Sequence, residues 1–129
     1  MTRLSITEHL MCKQRLGDEK LQILIYILSF MITHVVLFWI NKSDTEGREK
    51  LLEGVNKLLA KIPQVQNLDY GSPVPSDRAV VDDSFSVAVS MSFTNQVEAD
   101  AYQTHPFHIQ FVNEYVQPYA KRFVIYDWA

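Results

Sequence analysis

Residues 21–40 read LQILIYILSFMITHVVLFWI, and only Gln22, Ser29, Thr33 and His34 in that run are polar. What this stretch becomes decides the fold. Twenty mostly apolar residues just suffice to span a bilayer as one helix. Lys13, Arg15 and Lys20 ahead of the run imitate the charged start of a signal peptide. The second half, however, reads better as a strand from Thr33 to Ile40. Its alternation places His34, Val36, Phe38 and Ile40 on one face and Val35, Leu37 and Trp39 on the other. Both faces are apolar, so both must be covered. A helix that consumed Val35 to Ile40 would leave the later strands with an unpaired central edge. No small-residue cleavage site of the A-x-A type lies nearby. The strand reading therefore argues against a membrane span.

Downstream of the strand, Ser43 and Glu46 have capping-box spacing, with Ser43 as the expected N-cap. Leu51, Leu52, Val55, Leu58, Leu59 and Ile62 then recur as one helical stripe, opposite Glu49, Lys50, Glu53, Lys57 and Lys61. Pro63 stops the helix. A second strand is expected from about Val65 to Gly71, followed by GSPVPSDRAVVDD (71–83), the longest irregular stretch, read as a lid or an arm. Asp82 and Asp83 are read as the solvated end of that loop. From Ser84 to Phe93 the pattern has period two: Phe85, Val87, Val89, Met91 and Phe93 alternate with serines and Ala88. Asn95 and Glu98 cap a helix running to about Gln103. Pro106 disfavours helical geometry at His105 and opens a further helix. That helix carries His108, Phe111, Val112 and Tyr115 on one face. The last strand is Lys121 to Trp128.

The order is β-α-β-β-α-β. It predicts an α+β fold: a ferredoxin-like protomer with one antiparallel sheet and its helices on one face. Val35, Leu37 and Trp39 then lie on the uncovered face. A second sheet supplied across a twofold axis buries them, so a homodimer is expected.

Length and composition agree with one domain: 129 residues, 47% hydrophobic and 21% charged, with net charge −3. Lys and Arg are scattered, with no basic stripe to follow a phosphate backbone, which argues against nucleic acid as a partner. The lone Cys12 rules out a disulfide framework and a thiolate zinc site, and is compatible with a cytoplasmic, reducing location. Met31 leads directly into the strand. Residues 1–30 therefore read as an appendage or an over-called start outside the domain at 31–129. One amphipathic helix over Leu16 to Phe30 is possible there, and His9 and Cys12 read as part of a solvated tail.

The segments THVVLFWI, KLLEGVNKLLAKIPQV, SVAVSMSF, AYQTHPFHIQFV and FVIYDWA, in that order, resemble the stress-responsive α/β-barrel (Dabb) family. The likeness covers roughly Ile32 to Trp128, and AYQTHPFH (Ala101–His108) is its most specific piece. It implies a ferredoxin-like protomer and a homodimer whose two sheets form a barrel. It does not imply one activity. Some members are known as stress-associated proteins, others are similar to cofactor-free polyketide cyclases, and the wider superfamily includes mono-oxygenases and haem enzymes. Tyr102 and His108 match the Tyr and the general-base His of the cyclase-type members, and His34 matches their strand-one His. Some such members carry another His in strand three, where Val87 stands at the nearest match.

Four residues are thus candidates for chemistry: His34, Tyr102, His105 and His108. His108 aims at the sheet by helical spacing, and His34 shares a strand face with Val36 and Phe38. If that face meets the helices, the two converge inside the protomer with Tyr102 close by. A partly buried His suits proton transfer at neutral pH, and a Tyr hydroxyl can hold an enolate or phenolate oxygen. Each also has a plainer role. His105 can bond nearby backbone and fix the helix break. His34 and His108 can be satisfied core or rim histidines, and Tyr102 can be helix packing. The His105–His108 spacing hints at a metal, but the proline break spoils a shared face and no carboxylate has ligand spacing, so neither metal nor cofactor is expected. Glycine-rich phosphate loops, G-x-S-x-G and H-E-x-x-H are all missing. Besides a membrane-anchored version in which residues 16–40 insert, two functions remain open: a dimeric stress-response domain that binds or protects, and a cofactor-free enzyme (cyclase-, lyase- or mono-oxygenase-like) with a small aromatic or polyketide-like ligand. A cavity lined by His34, Tyr102 and His108 separates them.

Overall fold

A computed structural model describes residues 17–29 and 31–129. The readings of His9, Cys12, Lys13 and Arg15 lie outside those residues. The long apolar run divides: helix α1 is Asp18–Ser29, and strand β1 is Ile32–Ile40. Among the described residues no helix is long and apolar enough to cross a membrane. After β1 come α2 (Gly47–Lys57), a 3-10 turn (Leu59–Lys61), β2 (Gln66–Gly71) and β3 (Val87–Phe93). Then follow α3 (Gln96–Thr104), α4 (Pro106–Phe111), a π-helical turn (Val112–Val116), α5 (Gln117–Tyr119) and β4 (Ala120–Trp128). The strands form one antiparallel sheet in the order β2-β3-β1-β4. This is the expected ferredoxin-like β-α-β-β-α-β arrangement.

Strand periodicity sorts the sheet residues as expected. His34, Val36, Phe38 and Ile40 are buried, whereas Val35, Leu37 and Trp39 are only half-buried. In β3, Val87, Val89, Met91 and Phe93 are buried between half-buried Ala88, Ser90 and Ser92. The buried face packs on Leu51 and Val55 of α2, Leu59 and Ile62 beyond it, and Tyr102, Phe111 and Val116 of the second helical segment. Full burial of side chains such as Leu51 and Val55 contributes about 1.5–3 kcal/mol each.

Local departures have local causes. The capping box does not form. Asp44, not Ser43, closes the start of α2: its Oδ1 accepts from the Glu46 and Gly47 amides at 3.1 and 2.9 Å. A carboxylate one residue nearer also complements the positive end of the helix. Gly47 makes the approach possible, because a Cβ there would sit 2.7 Å from both Ile40 Cγ2 and Asp44 Oδ2. Strand β2 is bulged between Gln66 and Asp69, with Asn67 at φ 52°. Strand β3 starts later than expected: the Ser86 amide still bonds to the Phe38 carbonyl at 2.7 Å, but the Ser86 hydroxyl takes the Ile40 amide at 3.0 Å. Asp82 and Asp83 fasten the long loop as well as meeting solvent. Asp83 accepts from the Ser76 amide (3.0 Å), and Asp82 from the Ser84 amide (2.9 Å) and the Ser84 hydroxyl.

The π-helical turn brings one further residue inward. Pro118 has no amide hydrogen, and its ring conflicts with the carbonyl four residues back in a regular helix. The chain widens upstream instead, and the Gln117 amide bonds five residues back to Val112. Val116 thereby falls in line with Phe111 and is buried. Tyr115, expected on the same inward face, packs on the core and stacks on Phe111, and it leans over Gly54 of α2.

Candidate functional site

The break between α3 and α4 builds the site. Pro106 cannot donate to the Tyr102 carbonyl, which takes the His105 amide at 3.2 Å instead. His105 is the N-cap of α4: its Nδ1 accepts from the Phe107 amide at 3.1 Å. In an unbroken helix that amide would go to the Gln103 carbonyl. The Gln103 carbonyl is released and accepts from His108 Nδ1 at 3.0 Å. Because a carbonyl can only accept, the neutral His108 ring keeps its proton on Nδ1 and its lone pair on Nε2. Desolvation is the main influence on this ring and lowers its pKa; the Gln103 bond opposes that, while His34 and His105 add to it.

His34 lies 3% exposed on β1, directly opposite Asp127 on β4. Its Nδ1 donates to Asp127 Oδ1 at 2.5 Å, and the carboxylate itself is largely open to solvent. Tyr102 is 2% exposed, with its ring centroid 4.5 Å from His108, 4.9 Å from Phe93 and 5.9 Å from His34. Burial pushes its hydroxyl pKa well up, so the phenol stays protonated.

These three rings border a cavity of about 220 Å³ between the sheet and the second helical segment. The rest of its wall is almost entirely apolar, with Phe38, Met91, Phe111, Phe123 and Ile125 prominent; Gln103, whose carbonyl holds His108, also borders it. Phe123 and Ile125, on edge strand β4, are half-exposed and mark its mouth. An apolar cavity of about 150 Å³ already accepts benzene. A second hollow of about 80 Å³, lined by Gln96, Asp100, Gln103 and Asp127, reaches His34 from the other side. His34, Tyr102 and His108 are therefore brought together. His105 does not line the cavity; it holds the helix break. No group of three or more His, Cys, Asp or Glu side chains able to hold a metal ion occurs among the described residues.

Asp127 is the participant that sequence reasoning passed over. The one signal was an acid within the otherwise apolar FVIYDW strand. Only the antiparallel register of β1 and β4 places it against His34.

Fold and site together define a ferredoxin-like protomer with a His/Tyr-lined cavity under its helices. The family model for the stress-responsive A/B barrel domain (Dabb) matches residues 32–129, and the chain belongs to that family. No curated protein matches the sequence. Among solved structures, a Dabb family protein with a ferredoxin-like fold from Mesorhizobium loti is 25% identical, with TM-score 0.64 over 77% of this chain and 95% of that one. A dimeric ferredoxin-like protein of unknown function from Thermobifida fusca is also 25% identical, with TM-score 0.62 over 77% and 90% of the two chains. The hydroxynitrile lyase of Passiflora edulis shares the fold at 16% identity and TM-score 0.64, over 77% of this chain and 92% of that one.

Proposed function

We propose that this Dabb domain is a homodimeric, cytoplasmic, cofactor-free acid–base catalyst acting on a small, mostly apolar molecule with a carbonyl or phenol oxygen. A single observation carries the reading: a neutral His108 with its tautomer fixed and a protonated Tyr102 meet at the wall of an apolar cavity of about 220 Å³. His108 Nε2 removes a proton from the carbon next to the carbonyl. The C–H electron pair moves into the enolate, and the Tyr102 hydroxyl donates to the oxygen where charge develops. His34, held by Asp127, borders the same space as a second proton carrier. Return of the proton to carbon completes the cycle, so no redox partner is needed. The apolar wall suits an aromatic ligand. That an enzyme, the Passiflora hydroxynitrile lyase, uses this fold is supporting analogy only. Residues 1–30 are read as an appendage, and among the described residues the buried core cluster runs from Val36 to Val116. Binding without turnover, as protection under stress, is the second reading, favoured by the small polar share of the wall.

The test is deuterium exchange into the central methylene of benzoylacetone in D2O, followed by NMR. Wild type is expected to accelerate exchange above the buffer rate. His108→Ala should lower the enzymatic rate by about 10²–10⁴-fold. Tyr102→Phe should cost less, since it removes one hydrogen bond. Binding without accelerated exchange would favour the second reading, and exchange indifferent to His108→Ala would overturn the first.

A further inference from the structure

We propose that Gly54 sets the size of the cavity, and with it the largest ligand the chain accepts. This deepens the reading of the cavity as a ligand site and rests on it. Gly54 lies in the interior of α2, where glycine is unfavourable, and no glycine in the described chain has a positive φ that would demand it. The reason for glycine here is steric. A Cβ on Gly54 would lie 2.5 Å from Tyr115 Cγ, 2.7 Å from Tyr115 Cδ2 and 2.9 Å from Phe111 Cδ1. Real Cβ atoms do not sit so close, and the ring atom nearest is the rigid base of the tyrosine rather than its tip.

Phe111 stands between Gly54 and the cavity. One edge of its ring faces the glycine, and the residue lines the cavity on its other side, where the ring packs edge-on to Phe38 at 6.4 Å. Tyr115 stacks on Phe111 with centroids 6.2 Å apart and planes 23° apart. Both rings thus border the space that a Cβ would fill. Tyr115, half-buried, has room to swing outward, but the Phe111 contact remains after it does. A methyl group at position 54 drives the Phe111 ring into the cavity. The π-helical turn that Pro118 imposes is what lays Tyr115 over α2 in the first place, so the open wall depends on the pairing of that turn with a residue lacking Cβ.

The ruler is a series of neutral alkylbenzenes, benzene to butylbenzene, with xenon as a probe free of any polar contact. Binding is followed by NMR in wild type, Gly54→Ala and Gly54→Ala/Phe111→Leu. Gly54→Ala should weaken butylbenzene binding by about tenfold or more, on the scale of one misplaced methyl group. Benzene should change far less, and the double variant should recover the larger ligand. A folded Gly54→Ala with the wild-type size limit and wild-type xenon uptake would overturn the proposal. Should Gly54→Ala fail to fold, Phe111→Leu alone must extend the size limit upward, and an unchanged limit would overturn it equally. Wild type that takes up alkylbenzenes but does not exchange benzoylacetone would sink the catalytic reading and leave this one standing. Wild type that takes up neither xenon nor any alkylbenzene would overturn both.

Discussion

His108 is poised by three neighbours in sequence. Pro106 breaks the helix, His105 takes the Phe107 amide that would otherwise bond to the Gln103 carbonyl, and the His108 ring fills the vacancy. Its lowered pKa has a definite consequence for stability. The unfolded chain takes up the proton near the ordinary value of 6.5, and the folded chain only at lower pH. Stability from this group is thus fully present above pH 6.5 and declines as pH falls below it towards the folded value. Denaturant unfolding at pH 5.5 and 7.5 should show that decline in wild type and a smaller one in His108→Ala. Benzoylacetone exchange should persist on the acid side of pH 6.5, because the base form survives there. His34 makes a different forecast. Its Nδ1 is buried and its one acceptor is Asp127, so Asp127→Ala leaves a buried donor unpaired. The expected cost is about 1–3 kcal/mol, read from the denaturation midpoint. A change under a few tenths would mean that the pair adds nothing to the fold.

At the scale of elements, the start of α2 gives the cleanest test. Asp44→Ala removes the acceptor of two end-of-helix amides and should cost about 0.5–2 kcal/mol. Ser43→Ala should stay within about 0.5 kcal/mol, as at an ordinary surface site. Equal losses at both positions would show that capping is shared. The same contrast explains what was legible in the sequence. Period-two alternation named the buried faces of β1 and β3, and the Asn95 cap is found as read, accepting from the Glu98 amide at 2.9 Å. Helical spacing aimed His108 inward, and strand alternation turned His34 to the same side. Ser43 and Asp44 are both good caps by type, and only the tight approach of Gly47 to Ile40 decides between them. Tyr115 packs on the core and stacks on Phe111 as its spacing implied, but its lean over Gly54 was not legible, because helical spacing assumes 3.6 residues per turn and Pro118 acts backwards along the chain to widen it. Asp127 was missed because strand register is a property of two distant segments, and neither states it alone.

At the scale of the whole molecule, one sheet face is left partly exposed among the described residues. The side turned away from the helices carries Val35, Leu37 and Trp39 of β1, with Val124, Tyr126 and Trp128 on β4. Tyr126 and Trp128 are 57% and 49% exposed, too much aromatic surface in one contiguous strip to be idle. The neighbouring strand β3 offers only Ala88, Ser90 and Ser92 on this side, so the face has a bulky half and a shallow half. A twofold rotation about an axis along the strands sets each bulky half over the shallow half of the other copy. Such an interface should bury on the order of 2,000 Å² or more in total. Leu37 lies near the middle of the strip, opposite Val124 and Ala88. Leu37→Glu therefore puts an unpaired charge into the centre of the interface, at a cost of several kcal/mol. Trp39→Glu is the gentler change, because the Arg122 guanidinium already lies 4.2 Å from the Trp39 ring centroid and would meet the new carboxylate. Light scattering at micromolar concentration should give twice the mass of one chain for wild type and a single-chain mass for Leu37→Glu. Far-UV circular dichroism should be unchanged between them, because Leu37 points away from the core cluster. A wild-type monomer under those conditions would overturn the dimer, and a Leu37→Glu dimer would move the interface to another face.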